Sequence, residues 1–161
     1  MLTLWILCCS YLALFVPVKA QDLHQGMNDR GAMAMGFDQD KTTHHFYLYE
    51  DGGAIDISVK DRADTADRDG IRSHLPHIVM MFGMGDFEIP MLVHDSKDLP
   101  GVAVLTQRKD RVAYKYAETS TGGRVDIVTR DKDALAALHA FLTYQIKEHT
   151  TGDPATVTKR K

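Results

Sequence analysis

The chain has 161 residues, of which 44% are hydrophobic and 25% are charged, the length and composition of one globular domain. This excludes collagen-like, coiled-coil and largely disordered proteins, and it excludes enzymes built from two large lobes. The formal net charge of −3 lacks the basic excess of nucleic-acid-binding proteins, so we expect no nucleic-acid partner. The unusual counts are those of His and Met, with eight of each.

The segment 1–20 has the features of an export signal. An apolar run over 2–16 contains no acidic residue and precedes the small-residue pattern Val18-Lys19-Ala20. We therefore predict a signal peptide over 1–20, secreted or periplasmic localisation, and no membrane contact after cleavage. No Lys or Arg precedes the apolar run, so an uncleaved N-terminal anchor is the alternative. Cleavage removes both cysteines, which excludes thiol catalysis, disulfides and Cys-based zinc sites from the mature chain.

Periodicity then predicts a β-hairpin followed by a helix. Residues 21–42 are predicted to be a flexible N-terminal arm, because 21–35 is polar and interrupted by Gly; a short irregular helix over 21–35 is the alternative. Residues 43–49 and 54–60 each alternate between two faces, as strands do. The intervening Glu-Asp-Gly-Gly is typical of a hairpin turn, because Gly tolerates the positive φ that such turns require. A helix is predicted to follow, ending before Gly83.

The same pattern recurs later in the chain. Residues 112–118 and 124–129 alternate as strands around a second turn that contains Gly-Gly. Asp131 is the expected N-cap of a helix over 134–148, whose Leu and Ile side chains form one stripe. The linker at 87–105 is predicted to be an edge strand, because its prolines argue against a central one. The polar, basic tail at 150–161 is predicted to be disordered.

The two halves share the pattern Gly-Gly-x-x-Asp-Ile, at 52–57 and at 122–127. This match predicts an internal duplication, with β-β-α units at 43–86 and 111–149 inside a single domain over 43–149. Each predicted strand has one apolar face and each helix has one apolar stripe. We therefore predict an α+β fold: a two-layer sandwich in which an antiparallel sheet carries both helices on one face.

The first predicted helix has a row of His and Met side chains beside its apolar stripe. The stripe holds Ile71, Leu75, Ile78, Val79 and Phe82. The second arc holds His74, His77, Met80, Met81 and Met84. Spacings of three, four and seven residues place side chains on one helix face. Imidazole and thioether ligands without Cys suit copper, since imidazole binds Cu(II) and thioether binds Cu(I).

The leading hypothesis is therefore a secreted metal-binding protein, copper first, for storage, delivery or tolerance. The expected ligands are His74, His77, Met81, Met84, Met91, His94 and one of His44 and His45. Only one of the last two is expected to take part, because adjacent strand residues point to opposite faces. The expected partner is a metal ion or another periplasmic protein.

Other hypotheses stay open beside this one. Met often fills gaps in a core, so the second arc is also expected of a helix buried on two sides. Non-covalent haem, with His and Met as axial ligands, is a second cofactor hypothesis. An interaction module with Met80, Met81 and Met84 exposed is a hypothesis of another class.

No catalytic motif is present, so we do not expect an enzyme. Pro76 requires either a kinked helix or a new helix beginning at Ser73.

Several motifs resemble those of a family of small secreted bacterial proteins. They are Gly-Phe-Asp-Gln at 36–39, Lys-Thr-Thr-His-His-Phe at 41–46 and Ile-Arg-Ser-His-Leu-Pro-His-Ile at 71–78. The likeness continues through 85–87 to 151–154 and covers nearly all of the mature chain. The family has no settled activity, so the resemblance implies the compartment and a one-domain layout and adds no chemistry.

Overall fold

The structure, a computed structural model, describes the backbone of residues 20–160 and the side chains of residues 25–160. The signal peptide predicted over 1–20 lies outside these residues except at its last position, so export stays a prediction. Within the part that the structure describes, no helix is long and apolar enough to cross a membrane.

Four strands form one antiparallel sheet within the described residues. They are β1 (Thr42–Tyr49), β2 (Gly52–Val59), β3 (Val112–Thr119) and β4 (Gly122–Thr129). Their spatial order is β1-β2-β4-β3, so β2 and β4 are central and β1 and β3 are edges. The sequence prediction of two hairpins is confirmed, and each observed strand end lies within two residues of the predicted one.

Helices cover one face of this sheet and interlock the two units. They are α1 (Ala20–Met35), α2 (Thr65–Gly83), α3 (Glu88–Val93), α4 (Val102–Gln107) and α5 (Lys132–Glu148). The helix of the first unit, α2, lies mainly over β3 and β4, whereas α5 lies mainly over β1 and β2. Each long helix therefore covers the strands of the other unit, and both share one core. The predicted α+β class with two β-β-α units is confirmed.

The repeated Gly-Gly pairs explain how the two units join. The stretches that carry them pair with each other, because β2 runs antiparallel to β4 through most of its length. A Cβ at Gly52 would collide with the carbonyl of Ile127, and a Cβ at Gly122 would collide with the carbonyl of Ile57. The central strands can pack this closely only because both positions lack a side chain.

The N-terminal segment forms a helix over Ala20–Met35, which corresponds to the helix and not to the flexible arm among the two predictions for this segment. Met27 of α1 is only 6% exposed. Arg30 Nε donates hydrogen bonds of 3.2 and 3.0 Å to the carbonyls of Leu92 and Val93 at the end of α3. Gly residues inside this segment lower its helix propensity, and packing against the domain supplies the stability that the local sequence lacks.

The linker at 87–105 contains α3 and α4, so the predicted edge strand is also wrong. Pro90 is tolerated because it lies in the first turn of α3, where a backbone N–H has no intrahelical acceptor. In α2, a single helix runs from Thr65 through Pro76, and no new helix begins at Ser73. Buried apolar side chains before and after Pro76 hold that helix on the sheet and offset the cost of the proline.

The tail, predicted to be disordered over 150–161, is ordered as far as Arg160 and follows the free edge of β1. The backbone N–H of Phe46 donates a 2.9 Å hydrogen bond to the Asp153 carboxylate. Thr158 pairs in parallel with Tyr49. Polar contacts hold this segment to the sheet. A polar composition is also typical of disordered tails, and for this reason the sequence predicted disorder.

The close approach of β2 and β4 makes a specific prediction. We expect Gly122→Ala to lower the free energy of unfolding by about 1–3 kcal/mol, because the new methyl group overpacks the strand pair. Gly83→Ala is the matched control, since a Cβ there meets no atom within 4 Å. Urea unfolding followed by circular dichroism measures both variants. Equal stability of the two variants would contradict the explanation.

Candidate functional site

Imidazoles from four separate places in the chain surround one cavity. His44 lies in β1, His74 in α2, His94 directly after α3 and His149 directly after α5. We call these four residues the histidine cluster. The cavity has a volume of about 70 Å³. Gln145 is the other polar residue of its wall, which is otherwise apolar and includes Met35, Phe46, Ile78, Phe82 and Phe141.

Strand alternation and helical spacing direct the first two imidazoles inward. His44 shares the buried face of β1 with Phe46, and His45 points to the opposite face. His74 is only 7% exposed and follows the buried stripe of α2 beside Leu75. The prediction that only one of the two adjacent histidines faces the helices therefore agrees with the geometry of β1.

The other two imidazoles are placed by helix ends. The backbone N–H of His94 donates to the carbonyl of Pro90 and caps α3. The backbone N–H of His149 donates to the carbonyl of Gln145 and caps α5. Because the two rings touch, the C-terminal ends of α3 and α5 meet at the cavity.

The rings of the histidine cluster are in contact directly or through one phenylalanine. The ring centroids of His44 and His149 are 5.3 Å apart, with their planes inclined by 13°. The ring of His94 meets that of His149 at a centroid distance of 5.1 Å and an angle of 83°. Phe37 lies 6.1 Å from His44 and 5.8 Å from His74, centroid to centroid. The four imidazoles thus belong to one continuous aromatic group.

Two nitrogen atoms at this site are buried without a partner. His94 Nε2 lies 3.0 Å from Gln145 Oε1 and is satisfied by it. His44 Nε2 and Gln145 Nε2 are buried and make no hydrogen bond among the described residues. Leaving such a group unpaired costs about 1–3 kcal/mol, and most buried polar groups in proteins are paired. A bound ligand that engaged these atoms would recover that free energy.

Burial favours the uncharged form of three imidazoles at this site, those of His44, His74 and His94. Burial, with smaller effects from the neighbouring His74 and His45, lowers the pKa of His44 to about 4. Burial likewise lowers the pKa of His74 to about 4, with a smaller effect from His77. The pKa of His94 is lowered by burial and partly restored by its hydrogen bond to Gln145. Neutral imidazole is the form that binds metal ions.

The structure brings three of the predicted ligands to the cavity, namely His44, His74 and His94. It places the others elsewhere. His45 faces Asp153, Met81 lies in the core, Met91 packs half-buried against the core, and His77 and Met84 are exposed. Among the described residues, no group of three or more His, Cys, Asp or Glu side chains is arranged to hold a metal ion.

The His and Met arc of α2 is divided because the edge of the core passes through it. Met81 lies about 20° from His74 around the helix and is 8% exposed, as part of the core. His77 lies about 60° from His74 on the same side and is exposed. Met80 and Met84 lie further round and are 51% and 56% exposed. Helical spacing correctly groups these residues, but it does not locate the boundary between core and solvent.

Two other histidines make structural contacts. His45 Nδ1 lies 2.9 Å from Asp153 Oδ1, which joins the tail to β1. His139 has its Nε2 at 3.0 Å and 2.9 Å from the carbonyls of Tyr49 and Gly52. It therefore fixes the turn between β1 and β2 to α5.

Sequence reasoning missed His149 and Gln145. A histidine near the C-terminal end of a helix interacts favourably with the helix dipole, so its position alone does not indicate a ligand site. A signal was nevertheless present: Phe141, Gln145 and His149 follow one another at spacings of four and so share a face of α5. Phe141 on that face belongs to the core, Gln145 is buried, and His149 is half-buried.

A polar cleft adjoins the cavity. It has a volume of about 270 Å³, and Asn28, Thr43 and Lys60 contribute to its wall. His44 and His149 line both the cleft and the cavity. This stacked pair therefore separates the inner cavity from a solvent-accessible polar surface.

Comparison with known proteins adds no assignment to this geometry. No family model, curated protein or solved structure matches the chain. The resemblance of its motifs to a family of small secreted bacterial proteins therefore stays a prediction.

The lowered pKa of His74 predicts acid sensitivity. The unfolded chain binds a proton there below pH 6.5, and the folded chain does so only below about pH 4. The contribution of His74 to stability is therefore complete above pH 6.5 and is lost as the pH falls toward 4, by roughly 2–3 kcal/mol.

His74→Phe tests this, because Phe141 precedes Gly152-Asp153 in the second unit by the same number of residues as His74 precedes Gly85-Asp86 in the first. We expect its free energy of unfolding to fall less between pH 7 and pH 4.5 than that of the unaltered protein, measured by urea unfolding with a chelator present. His77→Phe, on the exposed face of α2, is the control and should keep the full pH dependence. An unaltered pH dependence in His74→Phe would contradict the assignment.

Proposed function

We propose that the protein binds a borderline transition-metal ion, copper first, through the histidine cluster. The observation that carries this proposal is the state of His44. Its Nε2 is buried and unpartnered, and its pKa near 4 keeps the ring neutral beside three further imidazoles. A neutral imidazole nitrogen without a hydrogen-bond partner is available for coordination.

The spacing of the rings supports coordination of one ion. At metal–nitrogen distances of 2.0–2.1 Å, imidazole centroids around a tetrahedral ion lie roughly 5 Å apart. The centroid distances of His149 to His94 and to His44 are 5.1 and 5.3 Å. Their orientations require adjustment, because the rings of His44 and His149 are nearly parallel and two such rings need rotation to point at a shared ion. Binding therefore includes rotation of at least one ring.

The donor set favours copper. Imidazole suits Cu(II), and the Met35 side chain in the same wall supplies a thioether, which suits Cu(I). The adjoining polar cleft gives a route for a hydrated ion, since His44 and His149 separate it from the cavity. Together with the predicted export signal, this supports a role in storing, delivering or tolerating copper outside the cytoplasm.

The competing hypotheses have weaker support in the geometry. Ligand sites for molecules of drug size or larger have volumes of several hundred Å³, and the cavity of about 70 Å³ is too small for haem. A methionine docking surface requires Met80, Met81 and Met84 to be exposed together, and Met81 is buried. Neither is therefore proposed as a second function.

Metal binding is tested on the protein purified from its native compartment. We expect near-stoichiometric copper by mass spectrometry, or uptake of one ion after stripping with a chelator. His149→Ala and His44→Ala should each weaken copper binding about tenfold or more, since even residues that only orient ligands have effects of this size.

His77→Ala is the matched control, because the sequence also proposed His77 as a ligand and the structure exposes it. It should bind copper as the unaltered protein does. Loss of copper in His77→Ala with retention in His149→Ala would assign the site to the exposed face of α2. Absence of copper, zinc and nickel binding in the folded, unaltered protein would refute the proposal.

A further inference from the structure

The C-terminal segment, residues 150–160, runs along the sheet and makes one β-bridge to the end of β1. Thr158 lies beside Tyr49 in a parallel bridge. The backbone N–H of Thr158 donates to the carbonyl of Leu48, and that of Glu50 donates to the carbonyl of Thr158, each at 3.0 Å. The chain thus covers the edge of β1 with its own extended segment, in the manner of a peptide that augments a sheet.

Two residues further on, the Arg160 guanidinium occupies a pocket that matches its shape and charge. Its Nη1 donates to Asp126 Oδ1 at 2.6 Å, and its Nε lies 3.2 Å and 3.3 Å from the two Asp51 oxygens. Its Nη2 donates to the carbonyl of Ile127 at 3.0 Å. The guanidinium carbon lies 4.5 Å from the centre of the Tyr49 ring, a cation–π distance.

The walls of this pocket are held by the sheet and not by Arg160. Asp126 accepts a 3.2 Å hydrogen bond from Arg124 Nε, and the Tyr49 hydroxyl accepts one of 3.0 Å from Arg124 Nη2. The Tyr49 ring also stacks on Tyr47, with centroids 6.2 Å apart and planes inclined by 4°. The site therefore keeps the Asp126 carboxylate and the Tyr49 ring in place when Arg160 leaves.

The excess of carboxylates at this site also favours binding of a cation. Asp51, Asp56 and Asp126 lie here, and Arg124 pairs with the last two. Without Arg160 the carboxylates exceed the remaining cation. A planar guanidinium matches this set better than an ammonium does, because its fork of donors reaches two carboxylates and a carbonyl together.

Little else holds the end of the tail. Residues 154–159 are exposed, and its one large apolar side chain, Val157, is 49% exposed. A segment that buries so little apolar surface opens locally at a much lower free energy than the domain unfolds. The pocket and the edge of β1 therefore become available together to a competing segment.

We propose that Tyr49, Asp51 and Asp126, with the edge of β1, form a recognition site for an arginine in an extended peptide of another protein. The arginine lies two residues after the residue that pairs with β1. The chain's own C-terminal segment occupies this site in cis and competes with the partner peptide. This site is separate from the histidine cluster and does not depend on metal binding.

The test uses the full chain with its tail released. In Thr158→Pro/Arg160→Ala, proline removes the N–H that bonds to Leu48 and alanine empties the pocket. The probe is the capped peptide Pro-Ala-Thr-Val-Thr-Lys-Arg, the sequence of 154–160. By calorimetry, we expect it to bind this variant at least tenfold more tightly than the unaltered protein, because the tail no longer competes. The same peptide ending in Lys should bind at least tenfold more weakly.

Two controls locate the binding. Adding Asp126→Asn to the released variant should abolish the preference for Arg over Lys, whereas Lys159→Ala in the unaltered protein should leave the tail in place and the peptide excluded. Equal binding of the Arg and Lys peptides, or no binding to a folded released variant, would overturn the proposal.

A second measurement decides the case if the released variant does not fold. In Arg160→Ala alone, ethylguanidinium at millimolar concentration should raise the melting temperature, and ethylammonium should not. Arg160→Ala/Asp126→Asn should lose this response. No difference between the two cations in Arg160→Ala would count against an arginine site.

Discussion

The close antiparallel pairing of β2 with β4 is the constraint on which the rest of the molecule depends. Glycines at two matched positions allow the central strands to approach, since a Cβ at Gly52 or Gly122 would meet a carbonyl of the opposite strand. This pairing joins the two β-β-α units into one sheet. Because α2 then lies mainly over β3 and β4, and α5 mainly over β1 and β2, each of these helices packs chiefly on the strands of the other unit. The histidine cluster is assembled from elements that meet only through this interlock.

Comparison of the two β-β-α units indicates that packing alone does not explain the histidine at position 74. His74 corresponds to Phe141 in the second unit, and both line the cavity. A phenylalanine therefore satisfies the packing at that kind of position without a titratable group. The imidazole costs stability below pH 6.5, because its pKa in the fold is near 4. A residue that lowers stability without improving packing is more readily explained by a ligand than by the core.

Much of the fold, and part of the site, could be predicted from the sequence. Alternation in β1 to β4 and the stripes of α2 and α5 are dictated by burial on one face, which leaves a periodic signal. The helices α1, α3 and α4 leave weaker signals, because they are short or contain Gly or Pro and are stabilised by docking. The site combines residues far apart in the chain, such as His44 and His149, and spacing within one helix cannot reveal such a pair. His74 and His77 share a face of α2, yet the edge of the core separates them.

The two proposed sites differ in how their polar groups are satisfied, and this sets how each responds to a ligand. At the open face of the sheet, Asp51 and Asp126 are already paired with Arg160, so a peptide must displace an equivalent interaction. Its apparent affinity is reduced by the fraction of time for which the tail is bound. At the cavity, His44 Nε2 and Gln145 Nε2 have no partner to lose. A ligand there bonds to these two atoms without displacing a protein partner, whereas coordination by His94 Nε2 replaces its hydrogen bond to Gln145. An already paired site, such as that of Asp51 and Asp126, suits regulated and exchangeable recognition of a peptide. A site with unpaired groups, such as the cavity, suits tight retention of a ligand.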